Sequence, residues 1–219
     1  MAADSRLTLN TPIGVAPNIQ TISIDFSNST RKLFCTPGGI GITTCGDAGI
    51  NGTPISGYIE DFALKAGPKK ADVVATEILT HFRNLNPQLG TFFHVAGYDS
   101  AGKQRVYRVD VAGNTSTDAN PNSVQGVIWN GESDIVTRIF NDCWLSDNNG
   151  AASVHIPSHG IPWSFFSLQD AIDFAVFAMS ATIGAIRFQN RSKTVGGPVD
   201  LLVVKPDGAT WVQRKELHV

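Results

Sequence analysis

Apolar and polar residues alternate strictly from Thr21 to Phe26, the period-two pattern of a half-buried strand. Two more β-rich runs, Arg31 to Cys35 and Ile40 to Cys45, stand either side of the turn residues Pro37, Gly38 and Gly39. The period then lengthens. Val74, Ile78, Leu79 and Phe82 recur at three-to-four spacing, which predicts a helix over 71–83, and another is predicted over 54–65, with Gly67 and Pro68 breaking the two apart. Residues 92–98 and 104–110 read as the strands of a hairpin turning through Asp99 to Gly102, and 124–129 as a further strand.

Towards the end of the chain, Ser167 and Asp170 make a capping-box start for a long helix reaching to about Gln189. That helix is apolar on nearly every side, so it is expected to be buried, under a neighbouring subunit as well as on its own sheet. Strand runs at 199–204 and 210–213 flank a turn at Pro206, Asp207 and Gly208. Strands, two helices, strands, one helix, strands is the order of a layered α/β fold with helices on the outer faces of stacked sheets. Residues 142–164, rich in Asn, Ser, Gly and Pro, read as a long loop inserted in a single domain spanning 1–219.

Composition narrows the classes. The 219 residues are 42% hydrophobic and only 16% charged, which suits a compact core rather than disorder. A net charge of −2 without a basic cluster excludes the electrostatic footprint of a nucleic-acid binder. Cys35, Cys45 and Cys143 form no paired metal motif and read as reduced thiols, so a cytoplasmic location is expected. The most apolar stretch, Phe174 to Ile186, is bounded by Asp173 and Arg187 and reads as too short to span a bilayer, so no membrane partner is expected. Gly39 and Gly41 lack the third glycine of a dinucleotide fingerprint, and the Pro157 and Gly160 that surround His155 and His159 argue for a loop there rather than a metal-binding helix. No cofactor and no metal are expected.

Chemistry enters with the order of a few short runs. The chain opens Met1-Ala2-Ala3-Asp4-Ser5-Arg6-Leu7-Thr8, and Thr30-Arg31-Lys32-Leu33-Phe34, Gly39-Ile40-Gly41 and Thr43-Thr44-Cys45-Gly46 follow. Together these resemble the first half of a proteasome β-type N-terminal-nucleophile hydrolase. The likeness continues more weakly through Phe93 to Asp99, Val106 to Asp110, Ala171 to Phe188 and Gly196 to Asp200. It implies an α+β fold, a four-layer αββα sandwich, and an amidohydrolase of the threonine-peptidase kind, acting on a peptide or amide substrate and assembling as a homo-oligomer.

The resemblance also assigns residues. Lys32 matches the lysine beside the nucleophile, Asp4 the carboxylate that holds it, and Arg6 braces the cluster. This is coherent physically, because a cation next to a hydroxyl stabilises its ionised form and a carboxylate keeps a buried lysine charged. Gly46 matches the glycine whose N–H faces the developing oxyanion. Asn130 and Gly131 stand where the family has Ser-Gly, and Asn130 retains hydrogen-bonding capacity towards a terminal amine. Thr8 and Ala48 match positions that pair with an extended peptide, while Leu7 and Thr44 line the pocket for its side chain. Cys45 reads as a small core thiol rather than a nucleophile.

The pattern departs from the family in three places. Its nucleophile begins a hairpin strand that Ala-Ala-Asp closes, and this chain opens inside that hairpin, so the nucleophile is expected upstream of Met1. Ser192 and Val195 stand where the family has a carboxylate and a hydroxyl ahead of its paired glycines, and Asn130 replaces a serine. A catalytically inactive member, serving as a structural or regulatory subunit, is therefore the rival expectation.

Overall fold

A computed structural model describes residues 1–13, 17, 20–147 and 149–216. The chain begins with strands β1 (Ala2–Ala3), β2 (Leu7–Ile13), β3 (Gln20–Ser27), β4 (Leu33–Cys35) and β5 (Gly41–Gly46), then two short ones, β6 (Gly49–Ile50) and β7 (Thr53–Pro54). Helices α1 (Ile55–Lys65) and α2 (Ala71–Leu85) follow, then β8 (Thr91–Tyr98), β9 (Gln104–Asp110) and β10 (Thr115–Asp118). The remainder holds α3 (Asp134–Phe140), β11 (Cys143–Ser146), β12 (Ala152–Ile156), a 3-10 turn at Trp163–Phe165, α4 (Leu168–Phe188), β13 (Asp200–Lys205) and β14 (Gly208–Gln213).

The fold is a four-layer αββα sandwich. An antiparallel sheet in the order β10-β9-β8-β5-β4 carries α1 and α2 on one face. Alternation along its strands decides what each face shows: Ile42, Phe93, Val95 and Val109 join Ile59, Val74, Ile78 and Phe82 in the core beneath the helices. The opposite face meets a second sheet, β1-β13-β14, through Leu33, Ala3 and Leu202. On the far side of that sheet α4 packs against β1 and α3, with Ile186, Ile135 and Val195 forming a third, smaller core.

Most predicted elements lie within a few residues of their expected bounds, and the differences have physical causes. The stretch 124–129 forms no strand, because the Asn120 amide takes both backbone groups of Val124, donating to its carbonyl at 2.7 Å and accepting from its N–H at 2.9 Å. The segment 142–164 contains the β11–β12 hairpin, closed by Asp147, whose carboxylate accepts the N–H groups of Asn149 and Ala151. Among the described residues β3 pairs only with β2 and no layer covers Ile24 and Phe26, so both are exposed rather than half-buried. The short helix α3 was not foreseen; seven residues give too little periodicity to read.

The long helix starts with the expected capping box, Ser167 accepting from the Asp170 N–H while the Asp170 carboxylate accepts from the Ser167 N–H. Its burial is far less than expected. Thr182 and Ile186 are buried, whereas Leu168, Phe177 and Phe188 are exposed. At 21 residues it is long and apolar enough to cross a membrane by length and composition. Here it forms the outermost layer of the sandwich.

Candidate active site

The cluster around Asp4 is built by three separate parts of the chain. β1 delivers Asp4 at its end, the residue before β4 delivers Lys32, and the segment before β13 delivers Gly196. Lys32 Nζ donates to Asp4 Oδ1 at 2.8 Å, and both side chains are largely buried. Asp4 Oδ2 accepts from the Arg6 N–H at 2.9 Å and from the Gly196 N–H at 3.0 Å. A carboxylate with three donors has its acceptor oxygens satisfied inside the protein, and the lysine ammonium is held in one orientation against it.

The neighbouring residues lock this arrangement. Ser5 N–H donates to the Gly196 carbonyl at 3.0 Å, and Ser5 Oγ donates to the Pro198 carbonyl at 2.6 Å. Behind it lies a buried ion pair between Lys215 and Asp200, with the lysine also donating to Ser5 Oγ at 2.7 Å. Arg6 braces the other side: Nε donates to Asn28 Oδ1 at 2.8 Å and the guanidinium lies 4.3 Å from the Phe26 ring centre. A Cβ on Gly196 would stand 2.5 Å from the Arg6 guanidinium carbon, so a side chain there would displace the guanidinium.

These groups open on one cavity of about 1340 Å³, and each predicted site residue stands in its wall. Asp4, Arg6 and Lys32 lie on one side with Leu7 and Thr8 of β2, while Thr44, Gly46 and Ala48 border it at the end of β5, and Asn130 and Gly131 face in from the segment before α3. Gly46 has φ +99°, and a Cβ there would come within 2.1 Å of the Gly90 carbonyl oxygen. Only glycine brings the chain through this corner. Thr8 is paired to Phe26 through β3, and its hydroxyl donates to the Lys193 carbonyl at 3.2 Å; the Ala48 carbonyl accepts from the Ile55 N–H at 2.9 Å. Asn130 Oδ1 accepts from the Gly131 N–H at 3.1 Å, turning the amide oxygen back on its own chain.

Cys45 also borders the cavity, and burial pushes its thiol up to about 11, with the positive charges of Lys32 and Arg108 pulling weakly the other way. A thiol held protonated to that degree is a poor nucleophile. Across the ladder sits His94, whose imidazole burial pushes down to about 4, with the nearby Arg108 charge adding to the effect. Sequence reading gave this histidine no role, although it lies in the Phe93 to Asp99 run; only strand pairing brings it opposite Thr43.

A second unforeseen group joins two borders of the cavity into one frame. Thr194 Oγ1 donates to Glu132 Oε1 at 2.6 Å, and Arg191 bridges Glu132 at 3.2 Å and Asp134 at 3.1 Å. Ser192 and Val195, the positions that depart from the family pattern, differ in setting: Val195 is buried in the small core with Ile135 and Ile186. Among the described residues no group of three or more His, Cys, Asp or Glu is placed to hold a metal ion. His155 instead stacks on Trp144 at 4.4 Å and contacts Asp142 at 3.2 Å, on the β11–β12 hairpin.

No protein-family model matches the sequence. Nor does any curated protein. Among solved structures, the chain superposes on the Anbu (Gly-1) mutant from Hyphomicrobium sp. strain MC1 with a TM-score of 0.52 and 15% identity, covering 98% of this chain and 79% of that one. The fold is proteasome-like. At such identity the likeness speaks for the arrangement of layers and not for the chemistry.

Proposed function

We propose that this chain is the body of an N-terminal-nucleophile amidohydrolase of the threonine-peptidase kind, acting on peptide or amide bonds within a homo-oligomer. The observation that carries this reading is the 2.8 Å Lys32–Asp4 pair in the wall of the cavity that Gly46 also borders. An ammonium held charged by a carboxylate lowers the cost of ionising a hydroxyl placed next to it. A backbone N–H at a corner without a side chain is able to approach the oxyanion formed when that hydroxyl attacks a carbonyl. The nucleophile of this reading is a threonine on a strand ahead of β1.

The test compares fluorogenic peptide hydrolysis by the chain beginning at Met1 with that by a chain extended upstream to begin at a threonine. The extended form is expected to turn over and the other to be inert, and Lys32→Ala in the extended form is expected to lower kcat by roughly 100-fold or more. An inert extended chain, or a rate indifferent to Lys32→Ala, sinks the proposal.

The rival reading, an inactive subunit with a structural role, draws on Val195. Its apolar side chain is packed with Ile135 and Ile186 at the position where the resemblance calls for a hydroxyl. The same assay separates the two.

A further inference from the structure

Two buried side-chain atoms in the cavity wall have no hydrogen-bond partner among the described residues: the Thr44 hydroxyl and His94 Nε2. His94 is the more informative. It is 8% exposed, sits on the inter-sheet face of β8, and stands directly opposite Thr43 on β5. Directly opposed residues of an antiparallel pair share one sheet face with Cβ atoms about 4.5–5.5 Å apart. The imidazole and the Thr43 hydroxyl are therefore two neighbouring polar points, and both border the cavity. Phe92 and Cys45, the pair two residues along on the same face, supply an apolar flank.

The medium decides which chemistry fits. Desolvation is the leading cause that keeps the His94 imidazole neutral and the Cys45 thiol protonated. The same desolvation opposes a substrate ammonium, which the Lys32 and Arg108 charges also repel, and a substrate carboxylate, for which those charges work against the desolvation. A purely apolar side chain would enter freely but leave Nε2 buried and unpaired. A carboxamide is neutral and carries a donor and an acceptor side by side, so it is able to satisfy an imidazole nitrogen and a hydroxyl together.

We propose that His94 and Thr43 form a subsite selecting a carboxamide side chain, glutamine or asparagine, in a peptide bound in the cavity. This rests on the reading above only in taking the ligand to be a peptide; it needs no turnover. His94 and Thr43 hold no place in the proposed chemistry, which uses Lys32, Asp4 and Gly46.

Acetylated, amidated peptides of one length, carrying glutamine, glutamate or norleucine at a single position, are titrated calorimetrically into the chain. The glutamine peptide is expected to bind about ten-fold more tightly than the other two, the scale of one well-made neutral hydrogen bond in a buried setting. His94→Leu is expected to erase that preference, weakening the glutamine peptide and not the norleucine peptide. Should His94→Leu fail to fold, Thr43→Val and the imidazole resonances of the unmodified protein decide: those resonances are expected to shift with the glutamine peptide and not with norleucine. Equal binding of all three peptides with no imidazole shift overturns the subsite and leaves the peptidase reading standing. A preference for glutamate overturns the carboxamide assignment. Failure of every peptide to bind overturns this inference together with the peptide-binding reading.

Discussion

The Gly196 N–H donates to Asp4 Oδ2 at 3.0 Å across 192 residues of chain. Without it the carboxylate would rest on Lys32 and the adjacent Arg6 N–H alone, and its orientation towards the lysine would not be set from the far side. The bond makes the end of β1 and the segment before β13 parts of one rigid corner. Ser5 repeats the linkage in the other direction, donating to the Gly196 carbonyl at 3.0 Å.

Gly46→Ala tests the tightness of the β5 corner. The new Cβ would meet the Gly90 carbonyl oxygen, at a backbone φ of +99° that alanine adopts only under strain. A loss of about 3 kcal/mol is expected, lowering the melting temperature by roughly 6–12 °C. An unchanged melting temperature would mean that the corner relaxes freely and is no fixed donor site.

His94 is expected to make stability fall in acid. Its folded pKa, about 4, lies below the ordinary 6.5, so between those values the unfolded chain binds a proton that the folded chain refuses. Stability is therefore complete above pH 6.5 and declines as the pH drops towards 4, by about 3 kcal/mol from this group in full. His94→Gln removes the titrating group. Urea unfolding at pH 7 and pH 4.5 should show a smaller pH difference in the variant than in the parent; equal differences would place the acid sensitivity elsewhere.

Cys45 is expected to resist alkylation at neutral pH. A thiol with a pKa of about 11 is ionised to roughly one part in ten thousand at pH 7, against a few per cent for an ordinary cysteine. Iodoacetamide labelling followed by peptide mass analysis should find Cys45 modified slowly in the folded protein and readily in urea. Rapid labelling of the folded chain would contradict the burial of the thiol and revive it as a candidate nucleophile.

Assembly is expected to run through α4. Phe177 is 50% exposed and Phe188 84% exposed on a helix whose remaining surface is mostly apolar, a patch that water covers poorly. Phe177→Asp should shift the protein towards a monomer in sedimentation velocity at micromolar concentration. A protein that sediments as a 23.4 kDa monomer before any substitution would show that the face has another role.

Removing the Glu132 carboxylate should loosen the cavity's border. Glu132→Gln removes one of the two carboxylates that Arg191 bridges among the described residues and weakens the 2.6 Å bond from Thr194. With these side chains about a third exposed, a modest destabilisation of about 1 kcal/mol is expected, together with faster hydrogen exchange in 191–196. Exchange unchanged in that segment would show that other contacts hold it.

Local order was legible in the chain because it depends on neighbours. The β-rich runs that hold Ile42, Phe93 and Val95, the three-to-four spacing of Val74, Ile78 and Phe82, and the Ser167–Asp170 cap each express a preference of a short segment for one conformation. The family resemblance likewise assigned Asp4, Lys32 and Gly46 to one site before any distance was known, and these residues do border one cavity. Where a segment's backbone found partners elsewhere, as Val124 did in the Asn120 side chain, the local preference lost.

Only the tertiary structure decided the rest, since it depends on contacts between residues far apart in sequence. Strand register placed His94 opposite Thr43, and sheet-on-sheet packing left its Nε2 buried at the cavity wall. The approach of residues 191–196 to β1 brought Gly196 to Asp4 and Thr194 to Glu132. No periodicity encodes such pairings, because each joins groups whose meeting is set by how whole layers stack. The apolar helix α4 shows the reverse case: its hydrophobicity is plain in the sequence, but the tertiary packing leaves Leu168, Phe177 and Phe188 exposed.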